Sequence, residues 1–248
     1  MKKIGIALGG GGSRGFAHIG VLKALEEEGI KISLISGTSA GSIVGAFYAD
    51  GKTPDEIMEL MKDLDLYDFV KFRLPNRGFA SLKKLEVLLE ETLEAKDFKD
   101  LKMPLYVAVS NLSSGAAEYL NEGDISLAVQ ASSSIPILFS PVEIDGNTYV
   151  DGGLLNNVPL LPLKEQCDKI IAVDVTPVRK AATIDNMMDL AARIFEMSIS
   201  MQNHKEDCDL IISPEALSEI HILDTSQNER IYNMAYEHVK TLDLSEFK

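Results

Sequence analysis

Residues 34–44 read Leu-Ile-Ser-Gly-Thr-Ser-Ala-Gly-Ser-Ile-Val and predict a strand, a tight turn and a helix in immediate succession. Ser39 stands at the centre of the Gly-x-Ser-x-Gly pattern that Gly37 and Gly41 complete. These glycines keep side chains away from the place where strand and helix nearly touch, so a strained serine can project its hydroxyl from the turn. We therefore predict that Ser39 is a nucleophile on an elbow between strand and helix.

A second Gly-x-Ser-x-Gly match spans residues 11–15. Its serine, Ser13, lies five residues past the end of the predicted strand Ile4 to Leu8, inside a run of glycines. That position is not a tight strand-to-helix turn. Ser13 is therefore predicted to be a loop residue, and Ser39 is the better nucleophile.

The first 35 residues have the pattern of a βαβ unit. The strand Ile4 to Leu8 leads into the glycine run, apolar residues then recur at helical spacing up to Gly29, and residues 30–35 form a second apolar run. Two strands joined by a helical crossover are expected to be parallel.

The glycine run contains Gly10-x-Gly12-x-x-Gly15, which is the spacing of a dinucleotide-binding loop. Such a loop needs an acidic residue at the end of the second strand to hold the ribose, and Ser36-Gly37 stands there instead. The preferred interpretation is that consecutive backbone N–H groups of the loop bind an oxyanion. A purely structural glycine turn is the remaining alternative.

A predicted hairpin delivers Asp151 to the end of a strand. Residues 142–144 and 148–150 flank the turn sequence Asp145-Gly146-Asn147, and the second arm runs into Asp151-Gly152-Gly153. Taken alone, an aspartate before two glycines is more typical of a plain turn than of a catalytic group.

The sequence favours a Ser-Asp pair over a Ser-His-Asp triad. None of the four histidines stands in a recognisable motif; they are His18, His204, His221 and His238. Ser39 also comes after the second predicted strand, whereas the serine elbow of an α/β-hydrolase with a triad comes after several strands. An ordinary aspartate with a pKa near 3.9 is a poor base for a hydroxyl, so such a pair requires a desolvated carboxylate and preorganised oxyanion donors.

Composition excludes several classes of function. The 248 residues include 38 acidic and 24 basic side chains, and a net charge of −14 disfavours nucleic acid as a partner. The two cysteines have no metal-ligand or disulfide spacing, so neither a zinc site nor a disulfide framework is indicated. We also predict that the protein uses no cofactor. The apolar stretches 32–49 and 125–142 contain too many polar residues to span a membrane. With no export signal in the sequence, we expect a cytoplasmic protein.

Residues 64–80 gather three phenylalanines, a tyrosine and three cations without a clear period. In an acidic chain, this combination predicts a lid or a lipid-facing surface that contacts a membrane peripherally and transiently. Packing of the same aromatic side chains into the core is an equally good interpretation. The sequence leaves the oligomeric state open.

Three motifs in this order, Gly10-Gly11-Gly12-Ser13-Arg14-Gly15, Gly37-Thr38-Ser39-Ala40-Gly41 and Asp151-Gly152-Gly153, resemble those of the patatin-like phospholipase family. The resemblance covers about residues 4–162, including 131–141 and Asn156-Asn157-Val158-Pro159. It implies a three-layer α/β/α fold with a mostly parallel central sheet, and hydrolysis of lipid acyl esters without a metal. It also implies Ser39 as nucleophile, Asp151 as base and the loop Gly10 to Gly15 as the oxyanion hole.

The expected organisation is one catalytic domain over residues 1–248, in which 163–248 complete the domain that carries the motifs. Two rival functions stay open. The same residues would serve an esterase, thioesterase or acyltransferase that acts on small soluble substrates. A regulatory protein that senses lipids, with little turnover, would also retain them.

Overall fold

The computed structural model describes residues 2–62, 82–178, 184–185, 187–202 and 208–248. Within these residues, eight strands form one mixed sheet. The strands are β1 (Ile4–Leu8), β2 (Ile32–Thr38), β3 (Leu105–Asn111), β4 (Ala116–Leu120), β5 (Val142–Ile144), β6 (Asn147–Asp151), β7 (Lys169–Val173) and β8 (Leu210–Ile212).

Helices flank this sheet. They are α1 (Phe16–Glu27), α2 (Ala40–Ala49), α3 (Pro54–Met61), α4 (Lys83–Thr92), α5 (Ile125–Ser132), α6 (Leu161–Lys164), α7 (Met187–Ser200) and α8 (Asn228–Lys240). A 3-10 helix, Gly12–Gly15, joins the glycine run to α1.

The sheet is mostly parallel. Neighbouring strands follow the order β5-β6-β3-β2-β1-β7-β8, and β4 also pairs with β3. The pairs between β3, β2, β1, β7 and β8 are parallel, whereas β4, β5 and β6 add antiparallel pairs. The predicted fold class, a helix-flanked α/β arrangement with a mostly parallel central sheet, is confirmed.

Side chains from the two faces of the sheet enter different apolar clusters. In β1, Ile6 and Leu8 belong to the large cluster that includes residues of α1 and α2, whereas Ala7 belongs to a smaller cluster with Val158 and Leu163. This alternation follows from the period of two along a strand. The four-residue helix α6 contributes Leu163 to the smaller cluster.

Local sequence signals account for most element boundaries. Thr53 and Glu56 form a capping box at the start of α3, because the Thr53 side chain accepts from the Glu56 N–H and the Glu56 carboxylate accepts from the Thr53 N–H. The short strand β4, by contrast, is absent from the sequence prediction. It is half-exposed and pairs only with β3, so its residues lack a strong apolar pattern.

Residues beyond the predicted motif region extend the same sheet, because β7 pairs with β1 and β8 pairs with β7. That residues 1–248 form one domain remains a prediction. None of the helices within the described ranges combines the length and apolarity needed to cross a bilayer.

Candidate active site

The ends of β2 and β6 meet beside β3. Thr38, the last residue of β2, pairs with Ala108, and Asp151, the last residue of β6, pairs with Val109. Strand β4 pairs with residues 107–111 and so occupies the opposite edge of β3 along this whole stretch. Since β2 runs parallel to β3 and β6 runs antiparallel, their carboxyl ends abut on one edge.

Ser39 follows β2 directly and adopts the strained backbone conformation expected of an elbow. Its φ is 52° and its ψ is −124°, and it serves as the N-cap of α2. A Cβ on Gly41 would lie 2.1 Å from the Leu8 carbonyl oxygen, so only glycine fits there. A Cβ on Gly37 would lie 2.7 Å from the Gly41 carbonyl oxygen. The turn therefore requires both glycines of the motif.

The backbone of Ser39 is held by two neighbouring serines. The Ser39 N–H donates to the Ser132 hydroxyl (2.8 Å), which in turn donates to the Ala108 carbonyl (2.7 Å). The Ser42 hydroxyl donates to the Ser39 carbonyl (2.7 Å). These bonds hold the strained turn in place. Sequence analysis places 131–141 in the region of family resemblance and assigns Ser132 no role.

Asp151 is fully buried beside this elbow. Its Oδ1 accepts a 2.8 Å hydrogen bond from the Gly153 N–H, while Oδ2 makes no hydrogen bond of normal geometry within the described part of the chain. Burial raises the pKa of the Asp151 carboxyl to about 7, although interactions with the Ser39 side chain and the Gly153 N–H offset part of the rise. A carboxylate with this pKa can accept a proton near neutral pH.

Two N–H groups of the glycine loop lack a hydrogen-bond partner among the described residues. Gly11 caps the 3-10 helix and Gly12 begins it, and the first N–H groups of a helix have no partner within the helix. Gly12 lies in the apolar pocket that also includes Ser39. The pair Gly11 and Gly12 is therefore available to bind an oxyanion.

The prediction that the whole loop supplies oxyanion donors needs correction, because three other N–H groups of the loop already donate to backbone carbonyl oxygens. The pairs are Gly10 with the Asn157 carbonyl (3.2 Å), Ser13 with the Ile222 carbonyl (2.8 Å) and Arg14 with the Gly11 carbonyl (3.2 Å). Gly15 serves another purpose, since a Cβ there would lie 2.5 Å from the Cβ of Ala40, the residue after Ser39.

Arg14 is a buried anchor for the loop. Its guanidinium forms a 2.8 Å ion pair with Glu196 of α7, and both side chains are buried. It also donates to the Ile220 carbonyl through Nε (2.9 Å) and Nη2 (2.7 Å). Glu196 further pairs with Arg193 (2.9 Å). Sequence analysis missed Glu196, because an acidic residue in an amphipathic helix carries no signal of such a contact.

His18 is a neutral histidine of the core. It is fully buried, and burial lowers its pKa to about 4. Its Nε2 lies 2.7 Å from the Gly9 carbonyl, which can only accept, so Nε2 carries the proton. His204 lies outside the described residues. The His221 Nδ1 accepts from the Leu223 N–H (3.2 Å).

An apolar pocket adjoins the candidate nucleophile. Its volume is about 50 Å³. Its lining includes Gly12, Ser39, Phe16, Ile43, Leu85 and Phe139. The apolar lining suits a hydrocarbon chain, but a long chain has to extend beyond so small a space. The predicted contact region 64–80 falls outside the described residues.

A larger cleft of about 1130 Å³ lies at the start of β3 and beside the hairpin turn near Asp145. It includes neither Ser39 nor Asp151. Size alone therefore does not identify the site, and convergent chemistry favours the smaller pocket. Within the described ranges, no group of three acidic, histidine or cysteine side chains is arranged to hold a metal ion.

Comparison with known proteins adds independent information. Residues 6–164 match the family model described as "Patatin-like phospholipase", which is more than half of the chain. An uncharacterized NTE family protein of Mycobacterium tuberculosis is 30% identical over 211 residues, which are 79% of this chain and 58% of the relative. Lysophospholipase NTE1 of Coccidioides immitis is 34% identical over 181 residues, 70% of this chain and 12% of the relative.

This chain thus spans little more than half of the mycobacterial relative and a small part of the fungal one. Among solved structures, VipD from Legionella pneumophila superposes with a TM-score of 0.64 at 16% identity. The superposition covers 96% of this chain and 66% of VipD. The likeness in fold therefore extends past the segment that matches the family model.

Proposed function

The chain belongs to the patatin-like phospholipase family, and we propose that it is a serine acyl hydrolase that cleaves lipid acyl esters. The observation that carries this proposal is the burial of Asp151 beside the strained elbow of Ser39. Burial raises the pKa of this one carboxyl to about 7. A serine hydroxyl needs such a base because it is a weak nucleophile in its neutral form.

In the acylation step, the Ser39 Oγ attacks the ester carbonyl carbon while Asp151 takes the hydroxyl proton. The N–H groups of Gly11 and Gly12 donate to the oxyanion that develops on the carbonyl oxygen. The start of α2, directly after Ser39, adds a favourable helix dipole. Asp151 then passes its proton to the departing alcohol, which leaves Ser39 acylated.

The pocket and the relatives support a lipid as the substrate. The apolar lining beside Ser39 accepts part of an acyl chain. Because the fungal relative is named a lysophospholipase, a phospholipid with a single acyl chain is the first substrate to test. Such a substrate implies transient contact with a lipid surface, for which the predicted region remains 64–80.

The size of the pocket favours a second candidate function. A cavity of about 50 Å³ encloses only a short acyl group. An esterase, thioesterase or acyltransferase for small soluble substrates would use the same Ser39 and Asp151. A third possible function is that of a lipid-sensing protein with little turnover. Reaction of Ser39 with a covalent probe would distinguish the two enzymatic functions from this one.

The test is a substrate panel that compares lysophospholipids, diacyl phospholipids and short nitrophenyl esters. Wild type and Ser39→Ala are assayed in parallel, and a fluorophosphonate probe reports whether Ser39 is reactive. We expect turnover and labelling that both depend on Ser39. Labelling that is absent from a folded wild-type protein would contradict the enzyme proposal.

A further inference from the structure

The side chain of Asn157 lies beside the glycine loop, near the dyad. The residue is buried, with 1% of its surface exposed. A Cβ on Gly10 would lie 2.8 Å from its Oδ1 and 3.1 Å from the Cβ of Ser39. A Cβ on Gly153 would lie 3.0 Å from the same Oδ1 and 3.1 Å from the Oδ1 of Asp151. These distances place the amide oxygen within about 6 Å of the Ser39 Cβ and of the Asp151 Oδ1, which leaves room for one water between the amide and the dyad.

The hydrogen bonds at the other end of the amide determine which atom faces the dyad. The Asn157 Nδ2 lies 3.2 Å from the Thr176 hydroxyl and 3.4 Å from the Gly10 carbonyl. Thr176 donates its own proton to Asp174 (2.7 Å), so its oxygen can only accept from Asn157. The Gly10 carbonyl also can only accept. The atom at this end is therefore the NH₂ group, and the amide oxygen faces the dyad.

Two buried acceptor oxygens near the dyad lack an ordinary hydrogen bond. The Asn157 Oδ1 has no hydrogen-bond partner among the described residues, and the Asp151 Oδ2 has none of normal geometry, although the Asp151 carboxyl interacts with the Ser39 side chain. In the acyl-enzyme the Ser39 Oγ carries no proton, so Oδ2 then has no proton to accept from it. Buried acceptors without a partner are rare and call for an explanation. A single water has two protons to donate, and a pair of nearby acceptors is the arrangement that binds and orients one.

We propose that the Asn157 amide oxygen, together with Asp151, binds and orients the water that cleaves the acyl-enzyme. This inference rests on the proposed function. In this step the water oxygen attacks the acyl carbonyl carbon, and Asp151 Oδ2 takes one water proton while Asn157 Oδ1 accepts the other in a hydrogen bond. The bond between the carbon and Ser39 Oγ then breaks. Asp151 returns its proton to Ser39, and a carboxylic acid leaves.

A purely structural role would involve other atoms of Asn157. Its carbonyl accepts from the Gly10 N–H (3.2 Å), and its own N–H donates to the Gln202 side chain (2.6 Å). These backbone bonds survive replacement of the side chain. Substitution of Asn157 therefore removes the amide while the main connections between this turn and the glycine loop are retained.

The experiment separates acylation from deacylation in the 248-residue chain. Wild type and Asn157→Ala are mixed with p-nitrophenyl butyrate in a stopped-flow instrument. The initial burst of nitrophenolate gives the acylation rate, and the later steady state gives the deacylation rate. Intact-mass spectrometry of samples quenched at steady state measures the fraction of protein that carries a butyryl group.

For Asn157→Ala we expect an acylation rate within about threefold of wild type, a steady-state rate at least about tenfold lower, and butyryl adduct on most molecules. The control is Thr176→Val, which removes one of the two acceptors of Nδ2, together with the hydroxyl that donates to Asp174, and leaves the Asn157 amide oxygen in place. It should leave the ratio of the two rates unchanged. Equal loss of both rates in Asn157→Ala, or a variant without accumulated adduct, would overturn the inference.

A failed fold is also informative. Asn157→Leu keeps the branching of the asparagine side chain, with methyl groups in place of its polar atoms, and is used where the alanine variant does not melt cooperatively. If neither variant folds, Asn157 is a structural residue and the inference is overturned. A wild type that releases no nitrophenolate, or releases it equally well as Ser39→Ala, would refute the proposed function itself instead.

Discussion

Thr38 and Asp151 are end-to-end neighbours on one edge of β3, where they pair with the consecutive residues Ala108 and Val109. The two strands approach this point from opposite directions, so each ends where the other ends. Ser39 is the next residue after Thr38. The geometry of the sheet therefore brings the candidate nucleophile and base together, although they are far apart in the sequence.

The first prediction concerns the dyad. Ser39→Ala and Asp151→Asn should each lower kcat/KM by several orders of magnitude, and the double variant should be little worse, because the two groups act as one unit. Steady-state assays on a nitrophenyl ester measure all three. Ser13→Ala is the matched control, since Ser13 donates its hydroxyl proton to the His221 carbonyl (3.1 Å). Additive losses in the double variant would argue against a dyad.

The second prediction concerns the pH dependence of activity. Because burial raises the pKa of Asp151 to about 7, its base form is lost as the pH falls below that value. We expect kcat/KM to fall about tenfold per pH unit below pH 7. To test whether a histidine produces the profile instead, His221→Gln, His238→Gln and His204→Gln are measured alongside. An unchanged profile in all three assigns the titration to Asp151.

The third prediction concerns the pH dependence of stability. The folded pKa of Asp151, about 7, lies above its ordinary value of 3.8, so the folded state holds the proton more tightly. Stability is therefore lost as the pH rises from about 4 to 7, by up to about 4 kcal/mol. Asp151→Asn cannot ionise and should melt higher than wild type at pH 8. Urea unfolding at pH 4 and pH 8 should show this gain only at the higher pH.

The fourth prediction concerns the buried ion pair between Arg14 and Glu196. Glu196→Ala leaves a buried guanidinium without this carboxylate and should cost about 3–5 kcal/mol of unfolding free energy. Glu219→Ala is the matched control, because Glu219 pairs with Arg230 on the surface. That change should cost no more than about 1 kcal/mol. Similar melting curves for the two variants would mean that loss of the buried pair costs no more stability than loss of the surface pair, which would contradict the prediction.

The fifth prediction compares two glycines with positive φ. Gly12 (φ 58°) lies where a Cβ would come within 2.1 Å of the Ile222 carbonyl oxygen, whereas a Cβ on Gly29 (φ 77°) would contact nothing within 4 Å. Gly29→Ala should cost about 1–2 kcal/mol of stability and spare activity. Gly12→Ala should cost more stability and also abolish turnover, because the loop that holds the oxyanion donors must move. Esterase assays and thermal melting distinguish the two.

Some features of this protein follow from local sequence. The elbow of residues 37–41 needs two glycines and a serine in that order, and its strain is visible at Ser39 (φ 52°) as the pattern predicts. The capping box of α3 and the hairpin that carries Asp151 are equally local. Each depends on residues within a few positions of one another, so short-range sterics and hydrogen bonds decide them.

Other features depend on contacts between distant segments, and only the tertiary structure decides them. Sequence predicted oxyanion donors over the whole loop Gly10 to Gly15, but carbonyls of Asn157 and Ile222 occupy the N–H groups of Gly10 and Ser13. The raised pKa of Asp151 comes from burial under the assembled fold. A local pattern shows which groups a residue carries. Which of them are free to act depends on what the rest of the chain places against them.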